Sequence, residues 1–189
     1  MWIAERRRRR CGKERCADAE ATRRVLTGLG DLLRYVMRGS EQTGSGDAGM
    51  VPLRDEIAFV QQYLAIERER FPERLVTTID IADDVNDAVV PTLLLQPLVE
   101  NAIVHGVGGR IGAGRVAIHA WREGSVLRIT VRDDGPGPSM PNESSAGIGL
   151  ANTNARLTVL YGGAATLTLD RAPDGGAVAT VTVPFRTTR

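Results

Sequence analysis

A chain of 189 residues, 42% of them hydrophobic and 25% charged, can bury one good core, or one core plus a smaller helical unit. Its formal net charge of +1 gives no overall electrostatic pull toward nucleic acid. No apolar run approaches the roughly 20 residues that span a bilayer, and the basic start is not followed by the apolar segment of a signal peptide, so the chain as it stands reads as soluble and cytoplasmic.

The run RRRRR, Arg6–Arg10, reads as part of a solvated, disordered terminus over residues 1–16, in preference to a patch for phosphates or an anionic membrane. Cys11 and Cys16 have no partner pair elsewhere, so they form neither a disulfide framework nor a zinc site and fit a reducing compartment. Over residues 17–37, Val25, Leu26, Leu29, Leu32, Leu33 and Val36 fall at helical spacing, with Gly39 as a stop. A loop rich in Gly and Ser follows, and Pro52 opens a second helical pattern with the stripe Leu53, Ile57, Val60 and Leu64. The two predict a helical hairpin over 17–72 whose stripe packs either on the rest of the chain or on a second copy.

After Phe71-Pro72 the texture changes, and 73–189 reads as a second unit. RLVTTIDI predicts a strand, and PTLLLQPLVENAIVHG a helix beginning at or just after Pro91. GRVAIHAWR and SVLRITVRD predict a hairpin around Glu123-Gly124. A Gly-rich loop runs from Asp133 to about Gly147. IGLANTNARLTVLYG then predicts a helix ending at Gly162, and ATLTLD pairs with AVATVTVPF around the turn APDGG. Antiparallel strands interleaved with helices give the α+β class, a two-layer sandwich with helices on one face of the sheet.

Three pieces carry chemistry. At about 100° per residue, Leu95, Val99, Ala102 and Ile103 share one face of the PLVENAIVHG helix. Pro97, Asn101 and His105 lie on the opposite face, each about 40° from the next, with Glu100 on the flank. Singly, Asn101 could cap a loop, His105 could be a satisfied helix-end histidine and Glu100 could be solvated. In RDDGPGP, two glycines spaced by one residue permit a tight turn and close backbone approach, and an Asp before them can accept from an amino group. In AGIGLANTNARL, Gly147 and Gly149 lead into a helix whose first N–H groups favour phosphate oxygens. Together, in this order, they combine a hard-metal ligand, a purine-amine acceptor and an anion cradle.

LVENAIVHG, VRDDGPGP and GIGLANTNARL resemble the N, G1 and G2 boxes of the ATPase superfamily shared by DNA gyrase, heat-shock chaperones, histidine kinases and mismatch-repair proteins, which has the Bergerat-type ATPase fold. More narrowly, LGDLLRYVMR, VPLRDEIAFVQQYLAIERERF and VVPTLLLQPLVENAIVHG resemble sensor histidine kinases of the LytS type, a likeness running from about residue 17 to the C-terminus. The resemblance implies ATP and Mg²⁺ as cofactors. It matches Asn101 to the Mg²⁺-holding Asn, consistent with the preference of Mg²⁺ for oxygen ligands shared with phosphates. It matches Asp133 to the adenine-reading Asp, Gly135 and Gly137 to the D-x-G-x-G turn, and Gly147 and Gly149 to the phosphate lid. Leu150 belongs to that same box, His105 and Asn152 match positions near the nucleotide, and Glu100 is a possible further metal neighbour.

Two departures bear on chemistry. Related kinases often carry a Lys three residues after the metal Asn, where this chain has Val104. Hydrolytic relatives place a water-activating Glu four residues before it, where this chain has Pro97, which cannot act as a base. Transfer to histidine needs positioning and charge stabilisation more than a protein base, because neutral imidazole is the nucleophile. The phosphoacceptor motif of the family, like NPHFLFN, has no match upstream, and the two histidines are His105 and His119. The expectation is therefore either an incomplete form of a longer kinase anchored in the plasma membrane, or a protein that binds ATP and cannot phosphorylate itself. The first reading implies a response regulator as partner in a two-component phosphorelay and a homodimer through the N-terminal helices. The alternatives are a degenerate ATP-binding regulatory module, and an anti-sigma-factor-like Ser/Thr kinase, against which stand Pro97 and the long N-terminal hairpin.

Overall fold

The computed structural model describes residues 49–70, 72, 74–108, 112–138 and 148–187. The basic terminus, the first helix expected over 17–37 and Gly147 lie outside the described residues. The architecture is the α+β sandwich expected from the sequence: a five-stranded mixed sheet with its helices on one face.

A short strand β1 (Met50–Pro52) leads into α1 (Leu53–Arg70). Leu53, Ile57, Val60 and Leu64 are all buried, and they join one cluster with Val116, Ile118, Leu127 and Ile129 of the sheet. The stripe left open between two partners thus packs on the rest of this chain. The first N–H groups of α1 are taken by the loop ahead of β3 (Val89–Pro91), Leu53 donating to the Ala88 carbonyl at 2.7 Å and Arg54 to that of Asn86 at 3.0 Å, which satisfies donors a helix start otherwise leaves open.

β2 (Leu75–Ile81), β4 (Gly114–Glu123), β5 (Val126–Asp133), β7 (Ala177–Pro184) and β6 (Thr166–Arg171) lie in that spatial order. The two expected hairpins form, β4 with β5 and β6 with β7. One pairing departs from the antiparallel expectation: β2 runs parallel to β4. The chain between them crosses over the core face, as a parallel connection requires.

That crossover also corrects the start of the functional helix. Val89–Pro91 form β3, paired antiparallel with β1, so Pro91 ends a strand instead of opening a helix. The chain turns through residues 92–95 with Leu93 at φ 59°, a left-handed conformation costing about 1–2 kcal/mol for a residue with a side chain. α2 begins only at Gln96 and runs to Asn101 (Gln96–Asn101). The turn is held by Glu56 of α1, whose carboxylate accepts the N–H groups of Leu93 at 2.6 Å and Leu95 at 3.0 Å. After Asn101 the helix widens into a π-helical turn, Ala102–Val107, with Gly108 N–H reaching back five residues to the Ile103 carbonyl. Single π turns of this sort concentrate at functional sites.

α3 (Ile148–Tyr161) packs beside α2 and ends at Gly162, as expected. Strict alternation sets the sheet's inward face. On β5, Leu127, Ile129, Val131 and Asp133 point inward, and Arg128, Thr130 and Arg132 outward. A one-residue slip would expose three core side chains at about 2 kcal/mol each, roughly 6 kcal/mol in all, so this register is strongly held. The same parity decides which of two adjacent acids goes inside. Among the described residues, no helix is long and apolar enough to cross a membrane.

Candidate nucleotide-binding site

At the end of β5, parity places Asp133 inward, 4% exposed. Asp134 is turned away, and its Oδ1 accepts the Arg115 N–H of β4 at 2.8 Å. Asp133 is held through one oxygen: Oδ1 accepts the Gly135 N–H at 2.8 Å and, more weakly, the Ala177 N–H at 3.4 Å. Burial raises its pKa above the usual Asp value. The Gly135 and Ala177 donors pull it back down, Asp134 adds a smaller rise, and His105 adds a small lowering. The carboxylate thus has one oxygen tied to the backbone and lines a cavity with the other available to an incoming donor.

Asn101, His105, Asp133, Pro136, Gly137, Pro138, Leu169 and Ala177 line that cavity. The two-faced reading of α2 matches this placement. Leu95, Val99, Ala102 and Ile103 are buried, while Asn101 is half-buried and His105 exposed at the cavity. At about 220 Å³, below the roughly 300–1,000 Å³ that encloses a drug-sized ligand, the cavity has room for a planar base and leaves the rest of a nucleotide outside its walls.

Close backbone approach brings the helix and the strand together. A Cβ on Gly106 would lie 2.6 Å from the Cβ of Asp133, and one on Gly135 would lie 2.5 Å from the Cα of Gly106. Both contacts are tighter than a side chain tolerates, so Gly106 and Gly135 are needed for α2 to rest on the Asp133 turn. The β6–β7 turn closes the far wall: Gly176, at φ 86°, would drive a Cβ to 2.0 Å from the Asp133 carbonyl oxygen. Arg171 of β6 donates to the Pro138 carbonyl at 3.3 Å and ties the loop after β5 to that wall.

The other candidate residues sit elsewhere. Gly149, Leu150 and Asn152 occupy the start of α3, outside the cavity lining. Gly149 is in contact range of Pro97, its Cβ position 3.4 Å from the Pro97 Cβ, while Leu150 is buried in the core and Asn152 exposed. Glu100 is also outside the lining; its Oε1 accepts the Gln96 side-chain N–H at 2.6 Å. Gly106, Gly176, Leu169 and Ala177 escaped the sequence reading. In the sequence Gly106 is one more position of a helical pattern and the Asp-Gly-Gly turn a hairpin connection, yet both pack on Asp133.

Among the described residues no cluster of three or more His, Cys, Asp or Glu forms a metal cage. This donor set fits Mg²⁺ in one way: an amide oxygen such as that of Asn101 would supply one ligand, and the rest would come from water and phosphate.

The family model for histidine kinase-, DNA gyrase B-, and HSP90-like ATPases matches residues 86–187, more than half of the chain. The histidine kinase family model matches residues 12–75. Sensor histidine kinase BtsS of Escherichia coli (strain K12) is 34% identical over 155 residues, 82% of this chain and 28% of that protein. Sensor protein LytS of Oceanobacillus iheyensis is 31% identical over 182 residues, 89% of this chain and 30% of that protein. The matched segment thus spans less than a third of either relative. Histidine kinase AdeS of Acinetobacter baumannii superposes with a TM-score of 0.58 at 18% identity, covering 86% of this chain and 80% of that one, a likeness of fold.

Proposed function

The chain belongs to the histidine kinase-, DNA gyrase B- and HSP90-like ATPase family, and from that footing we propose that it is the ATP-binding catalytic part of a two-component sensor histidine kinase. One observation carries this reading. The buried Asp133 and the half-buried Asn101, 32 positions apart in sequence by their numbers, line the same cavity.

In this reading Asp133 accepts the adenine amino group on the oxygen not tied to Gly135 and Ala177. Leu169, Ala177 and Pro138 supply apolar walls for the base. Asn101 offers its amide oxygen to Mg²⁺, and His105 lies one turn further on at the same opening. Mg²⁺, when bound, neutralises phosphate charge and polarises the transferred group. The first turn of α3, with Gly149 and Asn152, supplies the phosphate side.

Asp133 is the only carboxylate among the described lining residues, and in this reading its second oxygen is taken by adenine, so no carboxylate base for water is left in the cavity. The site therefore holds ATP for transfer more readily than for hydrolysis. Its acceptor is a histidine outside this chain's ATPase unit: His105 lines the cavity itself, and His119 faces outward from β4, where its Nδ1 lies 3.4 Å from Asp80. Transfer then passes to a response regulator. We place the dimer contact in residues 17–72 and the ATP-binding unit in 73–189. Since α1 spends its apolar stripe on the core, the contact falls to the stripe of residues 17–37. A membrane-anchored sensor region would lie outside this chain.

A second reading, an ATP-binding regulatory module without kinase activity, is favoured by one feature: Val104, beside the cavity, is 60% exposed and no Lys or Arg stands among the described lining residues. Calorimetric titration of the whole chain tests the common part. ATP is expected to bind more tightly with Mg²⁺ than with a chelator, and Asn101→Ala to remove the metal-dependent gain, about tenfold for one charge-assisted ligand contact, while leaving the fold intact. Unchanged affinity in the variant would remove the core of the proposal. Labelled ATP with a separate acceptor-histidine segment then separates the readings, phosphohistidine arising only in the first.

A further inference from the structure

The segment entering α1 is fastened to the start of α2 by a set of links that nucleotide chemistry does not itself use. β1 and β3 pair from Met50↔Pro91 to Pro52↔Val89. Leu53 and Arg54 donate their N–H groups to the carbonyls of Ala88 and Asn86. Thr92 donates both its N–H, at 2.8 Å, and its hydroxyl, at 2.9 Å, to the Gly49 carbonyl. Residues 49–54 thus follow 86–92 almost position by position.

Glu56 extends this stitching into the functional helix. It is wholly buried, and its two carboxylate oxygens go to two different N–H groups, Oε1 to Leu93 and Oε2 to Leu95. Leu95 is the N-cap position of α2 and makes no side-chain cap of its own. Glu56 therefore supplies, from 39 residues away, the anion and the acceptor that a helix start favours. It also clasps Leu93 in its left-handed conformation, which persists only where surroundings over-determine it. From the other side, the Arg156 guanidinium of α3 donates to the Thr92 carbonyl. α2 is only six residues long and Asn101 is its last, so the direction of the helix at Leu95 sets where the Asn101 amide stands.

We propose that Glu56 is a positioning residue for Asn101, and that residues 49–56 form a lever through which the chain upstream of Gly49 adjusts the grip on the metal–nucleotide complex. This rests on the function proposed above. It adds the route by which that site is regulated. The base subsite at Asp133, carried on β5, lies outside the lever, so the lever acts on Mg²⁺ and phosphate and leaves adenine recognition unchanged.

The test uses the whole chain with Glu56→Gln, which keeps the shape and replaces one acceptor oxygen by a donor amide, and with Asn101→Ala as reference. Affinity for ATP is measured with Mg²⁺ and with a chelator, and amide hydrogen exchange is followed by peptide. Glu56→Gln is expected to weaken the Mg²⁺-dependent affinity about tenfold and the metal-free affinity less than about twofold, the scale of one lost hydrogen bond to a charge. Exchange should rise across residues 93–101 while β4, β5 and β7 keep wild-type protection. Adding Glu56→Gln to Asn101→Ala should cost nothing further, since residues acting through one another are non-additive. Wild-type metal dependence in a folded Glu56→Gln protein overturns the proposal. So do equal losses with and without metal accompanied by faster exchange throughout the sheet, which mark a general structural role, and so does additivity in the double variant. If the wild-type chain binds no ATP, the functional reading fails, and exchange across 93–101 alone then decides whether Glu56 sets the course of α2.

Discussion

The two walls of the cavity are built on opposite principles. Asp133 ends β5, the middle strand of five, which is paired along its length with β4 and β7 and anchored by Leu127, Ile129 and Val131. Asn101 and His105 stand on a six-residue helix that loosens into a π turn. That helix takes its direction from contacts with α1 and α3 at its start and from Gly106 against Asp133 at its end. Local stability follows burial and hydrogen bonding. The strand wall is therefore a fixed reference and the helix wall an adjustable part. On the function proposed above, recognition of a base falls to the first, and control of metal and phosphate to the second.

The most severe way to break this contrast is at the point where the walls touch. Gly106→Val is expected to destabilise the fold by about 3 kcal/mol or more, because even one carbon there collides with the Asp133 side chain. Nucleotide binding should be lost along with it. Urea denaturation with a parallel titration checks both, and a stable variant that still binds would mean the walls do not depend on this contact.

Asp133→Asn should separate function from stability. Binding of ATP is expected to fall about thirtyfold, from loss of a charged acceptor worth about 2 kcal/mol, while the melting temperature stays level or rises. The sign follows from the pKa. Burial, the largest influence, raises the Asp133 pKa in the folded state, so the folded protein holds this proton more readily than the unfolded chain. Its contribution to stability is complete below the ordinary Asp pKa and is lost as pH rises through the folded value. At neutral pH the buried charge is a cost that the Asn variant lacks.

A sharper, smaller effect is predicted on acidification. ATP affinity should begin to fall above the pH at which an ordinary Asp titrates, because the protonated carboxyl no longer offers the same acceptor, and the Asn variant should not show this fall. Titrations across a pH series decide it. The least effect is expected on the outer face. Asp174→Ala breaks an exposed pair with Arg132 at 3.0 Å and should change stability by no more than about 0.5 kcal/mol, with unaltered nucleotide affinity by the same titration.

Much of the fixed wall was legible along the chain. The alternation through VLRITVRD, with its apolar residues at 127, 129 and 131, already carries position 133 inward. The apolar and polar faces of α2 were likewise readable, because side chains on one helix face recur at short intervals. Where the adjustable wall begins was not. Helical periodicity in PTLLLQPLVEN extends back toward Pro91, and nothing nearby announces that β1 would claim Pro91 as a strand or that Leu93 would turn left-handed. Both depend on partners far off in sequence.

Local pattern, in other words, determined the elements, the inward choice of Asp133 over Asp134 and the two-faced character of α2, since each follows from periods of two or about 3.6 residues. Tertiary structure alone decided that β2 runs parallel to β4, that Glu56 caps a helix 39 residues away, and that Gly106, Gly135 and Gly176 converge on one carboxylate. Buried N–H groups must find acceptors wherever the packed chain brings them, and backbone segments can approach within a side chain's width only where no Cβ intervenes. Those requirements act across space, and the linear order of residues does not encode them locally.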